Sequence, residues 1–222
     1  MKLTVTWVVL AAGLATFAAQ ADDSQLVPLK IKLPAPAFIG TPSDLPVGTT
    51  VEKPTGKPRP PLMVPPDVTN LAMGKPVSCS STNVPGSELS KVTDGDKESR
   101  ESSLLLLRKG IQWVQIDLGA PKEIFAIVLW HNHDAPKVYH GVVVEVSDDP
   151  DFKNDVHVVF NNDHSNMDGL GVGADREYFE TNEGKLIDTK GVKGRYVRCY
   201  TDGSTETKLN EYLEVEVYGR PS

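Results

Sequence analysis

The sequence predicts an all-β protein, an antiparallel sandwich or barrel preceded by an extended, proline-rich arm. Two observations carry this reading. From Asn70 onward, short β-rich runs alternate with turns of Gly, Asp, Asn and Ser, and helical spacing is nearly absent. The runs are SLLLL, QWVQIDLG, EIFAIVLW, HGVVVEVS, VHVVF, REYFET, KLIDTK, RYVRCY and YLEVEVYG. Many short strands with polar turns and no crossover helix indicate antiparallel packing. The second observation is that Asp22 to Val68 holds eleven of the seventeen prolines. That density excludes helix and would strip ladder donors from a central strand, leaving polyproline II and turns.

In chain order, the first 21 residues, MKLTVTWVVLAAGLATFAAQA, have a charged start at Lys2, an apolar stretch from Val5 to Phe17 and a small-residue Ala-Gln-Ala end. This is the pattern of a secretory signal, with an apolar stretch too short for a good membrane anchor. The expected location is therefore outside the cytoplasm, periplasmic or extracellular. The formal net charge is −7, and loss of Lys2 makes it one unit more negative. That balance argues against nucleic acid and anionic membrane surfaces as partners. Residues 22–68 form the arm. Leu26, Val27, Leu29, Ile31, Leu33, Phe38, Ile39, Leu62 and Met63 interleave its prolines. Two readings stand: an arm draped over a folded surface, with Leu33, Phe38 and Ile39 packed, or a free linker.

Residues 69–220 form the sandwich. In QWVQIDLG, Trp113, Gln115 and Asp117 alternate with Val114, Ile116 and Leu118. In YLEVEVYG, Leu213, Val215 and Val217 take one face and Glu214 and Glu216 the other. A sheet packed on one side produces both patterns. LLLLRKG, the one stretch tempting as a membrane spike, lies between a DGD turn and QWVQIDLG and reads as a strand. The only cysteines, Cys79 and Cys199, share faces with Val77 and Val197. In an exported chain this favours a Cys79–Cys199 disulfide, with two buried free thiols as the alternative.

Three of the five histidines fall in HNHDAPKVYH. This segment reads as a connection after EIFAIVLW, with Pro136 fixing a turn. NNDHSNMD forms a second polar loop. Loops at one end of a rigid sandwich commonly hold ligands. Trp130, His131, His133, Asp134, Tyr139, Asn161, Asn162, Asp163 and His164 are the candidate ligand residues. Polar side chains would bond to hydroxyls while Trp130 or Tyr139 packs on an apolar ring face. Two other readings compete: a transition-metal or second calcium site on His133, Asp134, Asp163 and His164, which with an open coordination position would make a metal-dependent hydrolase, and solvated loop residues with a satisfied core histidine. No catalytic residues are identified, since GxSxG, HExxH, P-loop and dinucleotide patterns are all missing. GLGVGADRE lacks the strand-turn-helix setting of a phosphate cradle and reads as a loop.

The order NLAMGKPVSCSS, KVTDGDKESRESS, WVQIDLGAPKEIFAIVLW, VVVEVSDDPDF, GRYVRCY, YLEVEVYG resembles the coagulation-factor type C (discoidin) domain, over about residues 69–220. This is the galactose-binding-domain-like jelly roll that also serves as a carbohydrate-binding module, here similar to an exported bacterial subgroup. The resemblance implies a noncatalytic module whose partner is a glycan or cell-envelope polymer, with a surface protein in cell adhesion as the alternative. It also implies structural Ca2+ held by the Lys91 carbonyl, Asp94, the Asp96 carbonyl, Ser99, the Leu213 carbonyl and Glu214. An Asp-Gly-Asp turn concentrates the hard oxygens calcium needs. Without the resemblance, Asp94 and Asp96 read as ordinary turn formers that cap their own backbone.

Overall fold

The computed structural model describes residues 25–38 and 50–221; the signal-like segment, Ile39 and Ser222 lie outside the described residues. Its described strands are β1 (Val27–Pro28), β2 (Met63–Val64), β3 (Thr69–Asn70), β4 (Val77–Cys79), β5 (Leu105–Leu107), β6 (Gln112–His131), β7 (Val143–Ser147), β8 (His157–Asn161), β9 (Lys185–Thr201) and β10 (Asn210–Gly219). Antiparallel pairing gives the order β3-β10-β6-β9-β7-β8, with β4 added on β6 and β5 on β10. This is the largely β-sheet sandwich the sequence predicts.

Two long strands organise it. QWVQIDLG and EIFAIVLW are one strand, β6, and KLIDTK and RYVRCY are another, β9. Their pairing slips between Asp117 and Lys122 and again between Ile124 and Ala126. Before the slip β6 lies between β4 and β9; after it, between β10 and β9. Val114 and Ile116 from the first half meet Ile127 and Leu129 from the second, with Val144, Val146, Val197, Val215 and Val217, in the main core. REYFET is not a strand; only an isolated bridge, Val138 to Phe179, marks it.

The second half of β6 is apolar on both faces for a physical reason. Ala126, Val128 and Trp130 point away from the main core, into a second cluster with Leu104, Leu213 and Tyr218. Leu29, Ile31, Leu62 and Val68 of the proline-rich segment pack on it. Further bonds fasten that segment: Leu29 N–H to the Leu62 carbonyl (2.8 Å), Glu52 N–H to the Glu177 carbonyl (2.7 Å), and Arg59 Nη1 to the Gly184 carbonyl (2.8 Å). Of the residues expected to pack, Phe38 is half-buried and Leu33 is not packed. Leu33 is 43% exposed, because its side chain falls on the solvent side of the extended chain.

Two further expectations are corrected. Glu214 and Glu216 do not face solvent; both are buried. A register shift at Leu213 carries Leu213 into the second cluster, and Glu216 pairs with buried Lys97 and the Tyr218 hydroxyl. The cysteines are both free. Both lie against the main core, but Cys79 and Cys199 pair with opposite sides of the same residue, Val114. Two strand spacings put their Cα atoms roughly 9.5 Å apart, beyond the ~7 Å a disulfide spans. Burial pushes the Cys199 thiol up to about 12, which leaves it protonated and unreactive.

Candidate functional site

The histidine segment is less of a loop than its composition suggests. Strand β6 continues through Trp130 and His131, which pair with Glu214 and Tyr212. Trp130 is buried and gives its Nε1 proton to the Asn182 carbonyl at 3.0 Å. His131 is buried, with Nδ1 at 3.0 Å from Glu180 Oε2 and its ring stacked on Tyr139 at 4.2 Å. Tyr139 is buried and donates to Glu211 Oε2 at 2.8 Å. His133 is buried on the Lys97 carbonyl, 3.0 Å away. Asp134 pairs with Lys137 at 2.8 Å. The aromatic platforms expected from Trp130 and Tyr139 are therefore core residues, and neither His131 nor His133 faces an opening.

The far end of the segment behaves differently. His140, Gly141, Asn162, Asp163, His164 and Asp168 line a cleft of ≈ 240 Å³, with Glu177 and Asp202. The two polar loops thus meet, through His140 rather than His133. Hydrogen bonds pin them: Asn162 N–H to the Val142 carbonyl (3.0 Å), Val142 N–H to Asn162 Oδ1 (2.8 Å), His140 N–H to the Gly203 carbonyl (3.0 Å), and Asp202 N–H to the His140 carbonyl (2.8 Å). Gly141 has φ +56, and a Cβ there would collide with the Asp168 carboxylate. Only glycine allows that approach.

The side chains divide into organisers and free groups. Burial pushes the Asp163 carboxyl up, but N–H groups of Asp168, Met167 and Ser165 and the Ser165 hydroxyl hold it below its ordinary value. Asn161 likewise serves the loop, taking the Asp163 N–H (2.8 Å) and donating to the Gly171 carbonyl (3.0 Å). His164 Nδ1 sits 3.2 Å from the Gly173 carbonyl, and His140 Nδ1 3.1 Å from Glu177 Oε1. Two buried atoms remain without partners, Asn162 Nδ2 and Asp168 Oδ2. Burial, then the charges of Asp163 and Asp202, push Asp168 up to about 6. A second cleft of ≈ 560 Å³, lined by Lys109, Ser204, Thr207 and Lys208, shares the wall formed by His140 and Asp202. Sequence reasoning selected Asn162, Asp163 and His164, placed His140 and Asp168 in the two polar loops without selecting them, and passed over Gly141, Glu177 and Asp202. The TDG turn directly after RYVRCY was the available signal for Asp202.

A different geometry surrounds the DGD turn. Asp94 Oδ1 accepts the Asp96 N–H at 2.7 Å, and Asp96 Oδ2 accepts the Ser103 hydroxyl at 2.8 Å. The Ser99 hydroxyl is bonded to Asn132 Oδ1. Glu214 reaches the turn from β10, taking the Gly95 N–H at 3.0 Å on Oε2, while its buried Oε1 has no partner. Burial, then the charges of Glu216 and Asp94, push its carboxyl up to about 8, against the Gly95 N–H and Lys97. A buried carboxylate oxygen left bare beside a turn rich in carbonyls fits a hard cation. Among the described residues no group of three or more His, Cys, Asp or Glu is placed to hold a metal ion. The alternative set of His133, Asp134, Asp163 and His164 is not assembled: His133 faces Lys97, and Asp163 is spent on its own loop.

A β-sandwich with a polar cleft built by its end loops defines a binding module. Residues 91–199 match the family described as F5/F8 type C, NedA-like, galactose-binding domain, and this stretch is a discoidin-like domain. What matches is a binding domain and not a catalytic one. No curated protein matches the chain. Among solved structures, chitosan-binding module 1 of a chitosanase/glucanase from Paenibacillus sp. IK-5 is 21% identical, with 68% of this chain and 99% of that one covered and a TM-score of 0.49. The CBM32 of AlyQ, in complex with 4,5-unsaturated mannuronic acid, is 18% identical, with 64% and 92% covered and a TM-score of 0.46. A CBM32 of a family 89 protein (CpGH89CBM32-6) from Clostridium perfringens is 20% identical, with 68% and 99% covered and a TM-score of 0.45.

Proposed function

We propose that the protein is an exported, noncatalytic module that binds a carbohydrate or similar polar ligand in the cleft between His140 and the 161–168 loop. The observation that carries this reading is the cleft itself. Three separate segments, held by backbone hydrogen bonds, converge there and leave buried polar atoms of Asn162 and Asp168 unpartnered. Fixed donors and acceptors around a small concavity suit a hydroxyl-rich ligand, because unpaired groups then gain partners without reorganisation. The described lining contains no aromatic residue, so the ligand is held by hydrogen bonds more than by ring stacking. The family match supports the same reading.

Structural calcium belongs to this proposal. Asp94 and Glu214 would supply carboxylate oxygens, the Lys91, Asp96 and Leu213 carbonyls and Ser99 the remainder. The ion would hold the 91–99 turn against β10 and satisfy Glu214 Oε1. The proline-rich segment acts in this reading as a strap over Trp130 and its neighbours. A partner of protein nature is the second reading, favoured by Met167, which lies on the cleft and is 76% exposed. A glycan array followed by calorimetry on wild type, His140→Ala and Asp202→Asn distinguishes the two. Saturable glycan binding weakened by both substitutions is expected. Binding that both leave intact places the site elsewhere, and no glycan binding at all favours a protein partner.

A further inference from the structure

We propose that the cleft selects sugars carrying a protonated amine, an inference that rests on its being the ligand site. The charges around it are one-sided. Its lining includes the carboxylates of Asp163, Asp168, Glu177 and Asp202, the imidazoles of His140 and His164, and no Lys or Arg. Lys109 and Lys208 line the second cleft, which has His140 and Asp202 in common with this one.

These carboxylates are not equivalent. Glu177 is occupied by His140 at 3.1 Å and the Thr50 hydroxyl at 3.0 Å. Asp163 spends its oxygens on Ser165 and the Asp168 N–H. Asp168 is left over: its Oδ2 is buried with no partner, and Asp163 and Asp202 both repel its charge. Burial first, then the like charges of Asp163 and Asp202, make its ionised form costly, a cost that an arriving cation would relieve. A second and independent sign of a missing partner is Asn162. It is 3% exposed and lines the cleft, its Oδ1 is taken by the Val142 N–H, and its Nδ2 donates to nothing.

An amino sugar answers both vacancies from one ring. Its ammonium group offers three donors, enough for Asp168 and Asp202, and a neighbouring hydroxyl oxygen accepts from Asn162 Nδ2. A charge-assisted bond in a partly desolvated cleft is stronger than its neutral counterpart. N-acetylation removes the charge and two donors together, so it should abolish the advantage. Binding also requires Asp168 to be ionised. Because burial, Asp163 and Asp202 push its carboxyl up to about 6, affinity for an amine should rise as pH rises from 5 to 7.

Calorimetry on the full mature chain tests this, using glucosamine and galactosamine oligosaccharides, their N-acetylated counterparts, and a neutral galactose oligosaccharide. At pH 7 the amine forms should bind about tenfold more tightly than the N-acetylated forms, and the difference should shrink at pH 5. Asp168→Asn should erase the preference. Asp202→Asn should reduce it, and provides a second, independent test. Neutral or N-acetylated sugars binding as tightly as amines would overturn the amine selectivity while leaving the carbohydrate reading intact. An amine preference that survives both substitutions would overturn the assignment to Asp168 and Asp202. If none of the sugars binds, the carbohydrate reading falls and this inference with it.

Discussion

Asp168 is an uncompensated charge in the folded protein, and removing it should stabilise the fold. Its carboxyl moves from an ordinary 3.8 to about 6. At about 1.36 kcal/mol per unit, the difference is up to ~3 kcal/mol. Asp168 is partly exposed, so solvent relaxation reduces this to about 1.5 kcal/mol. The sign follows from proton binding. Between the two values the folded state holds more protons at this position than the unfolded chain, so its contribution to stability falls as pH rises from 4 to 6. Asp168→Asn lacks that loss. At about 2–4 °C per kcal/mol for a chain of this size, the variant should melt roughly 3–6 °C above wild type at pH 7 and near it at pH 4. Calorimetric melting of both proteins across pH 4–7.5 reads the difference directly. Parallel curves, or a variant less stable at pH 7, would refute the assigned environment of Asp168. A carboxylate kept at a cost to stability is what a binding site leads one to expect.

Other outcomes follow from the same geometry. Calcium chelation should lower the melting midpoint of wild type but not of Glu214→Gln or Asp94→Ala, and identical melting of calcium-free and calcium-loaded wild type would contradict a structural ion. Intact-mass analysis after denaturation and alkylation without reductant should show both Cys79 and Cys199 modified; an unmodified pair would mean a bridge forms despite the intervening Val114. Leu62→Asp should lower stability by about 2 kcal/mol by opening the Trp130 cluster to water, with faster proteolysis of the arm. An unchanged midpoint would make that contact incidental. Gly141→Ala should disrupt ligand binding through its collision with Asp168, and full affinity in that variant would show that the close approach is dispensable.

Local patterns in the sequence carried much of the fold. Strict alternation in QWVQIDLG matched a half-strand buried mainly on one side. The unbroken apolar run in EIFAIVLW reflects burial on both faces, once by the main core and once by Leu29, Ile31 and Leu62. A period-two pattern cannot report which partner covers a face, so Glu214 and Glu216 read as solvent-facing although they are buried. Phasing placed Cys79 and Cys199 on apolar faces, but the register that inserts Val114 between them is a tertiary property. The site was legible only in part. Polar loop composition pointed to Asn162, Asp163 and His164. His131 and His133 carried the same composition yet belong to a strand end and a packed turn, because local residue type does not show where β6 stops. Asp168, Glu177 and Asp202 meet His140 only after three loops fold together, which no spacing records.

The most direct test of the cleft is an amide chemical-shift titration of isotope-labelled protein with a glycan that binds it. The account predicts saturable shifts concentrated at His140, Gly141, Asn162, Asp168 and Asp202, with His131 and His133 little changed. Shifts concentrated elsewhere, for example on the outer face around Trp113 and Arg198, with the cleft silent, would contradict it.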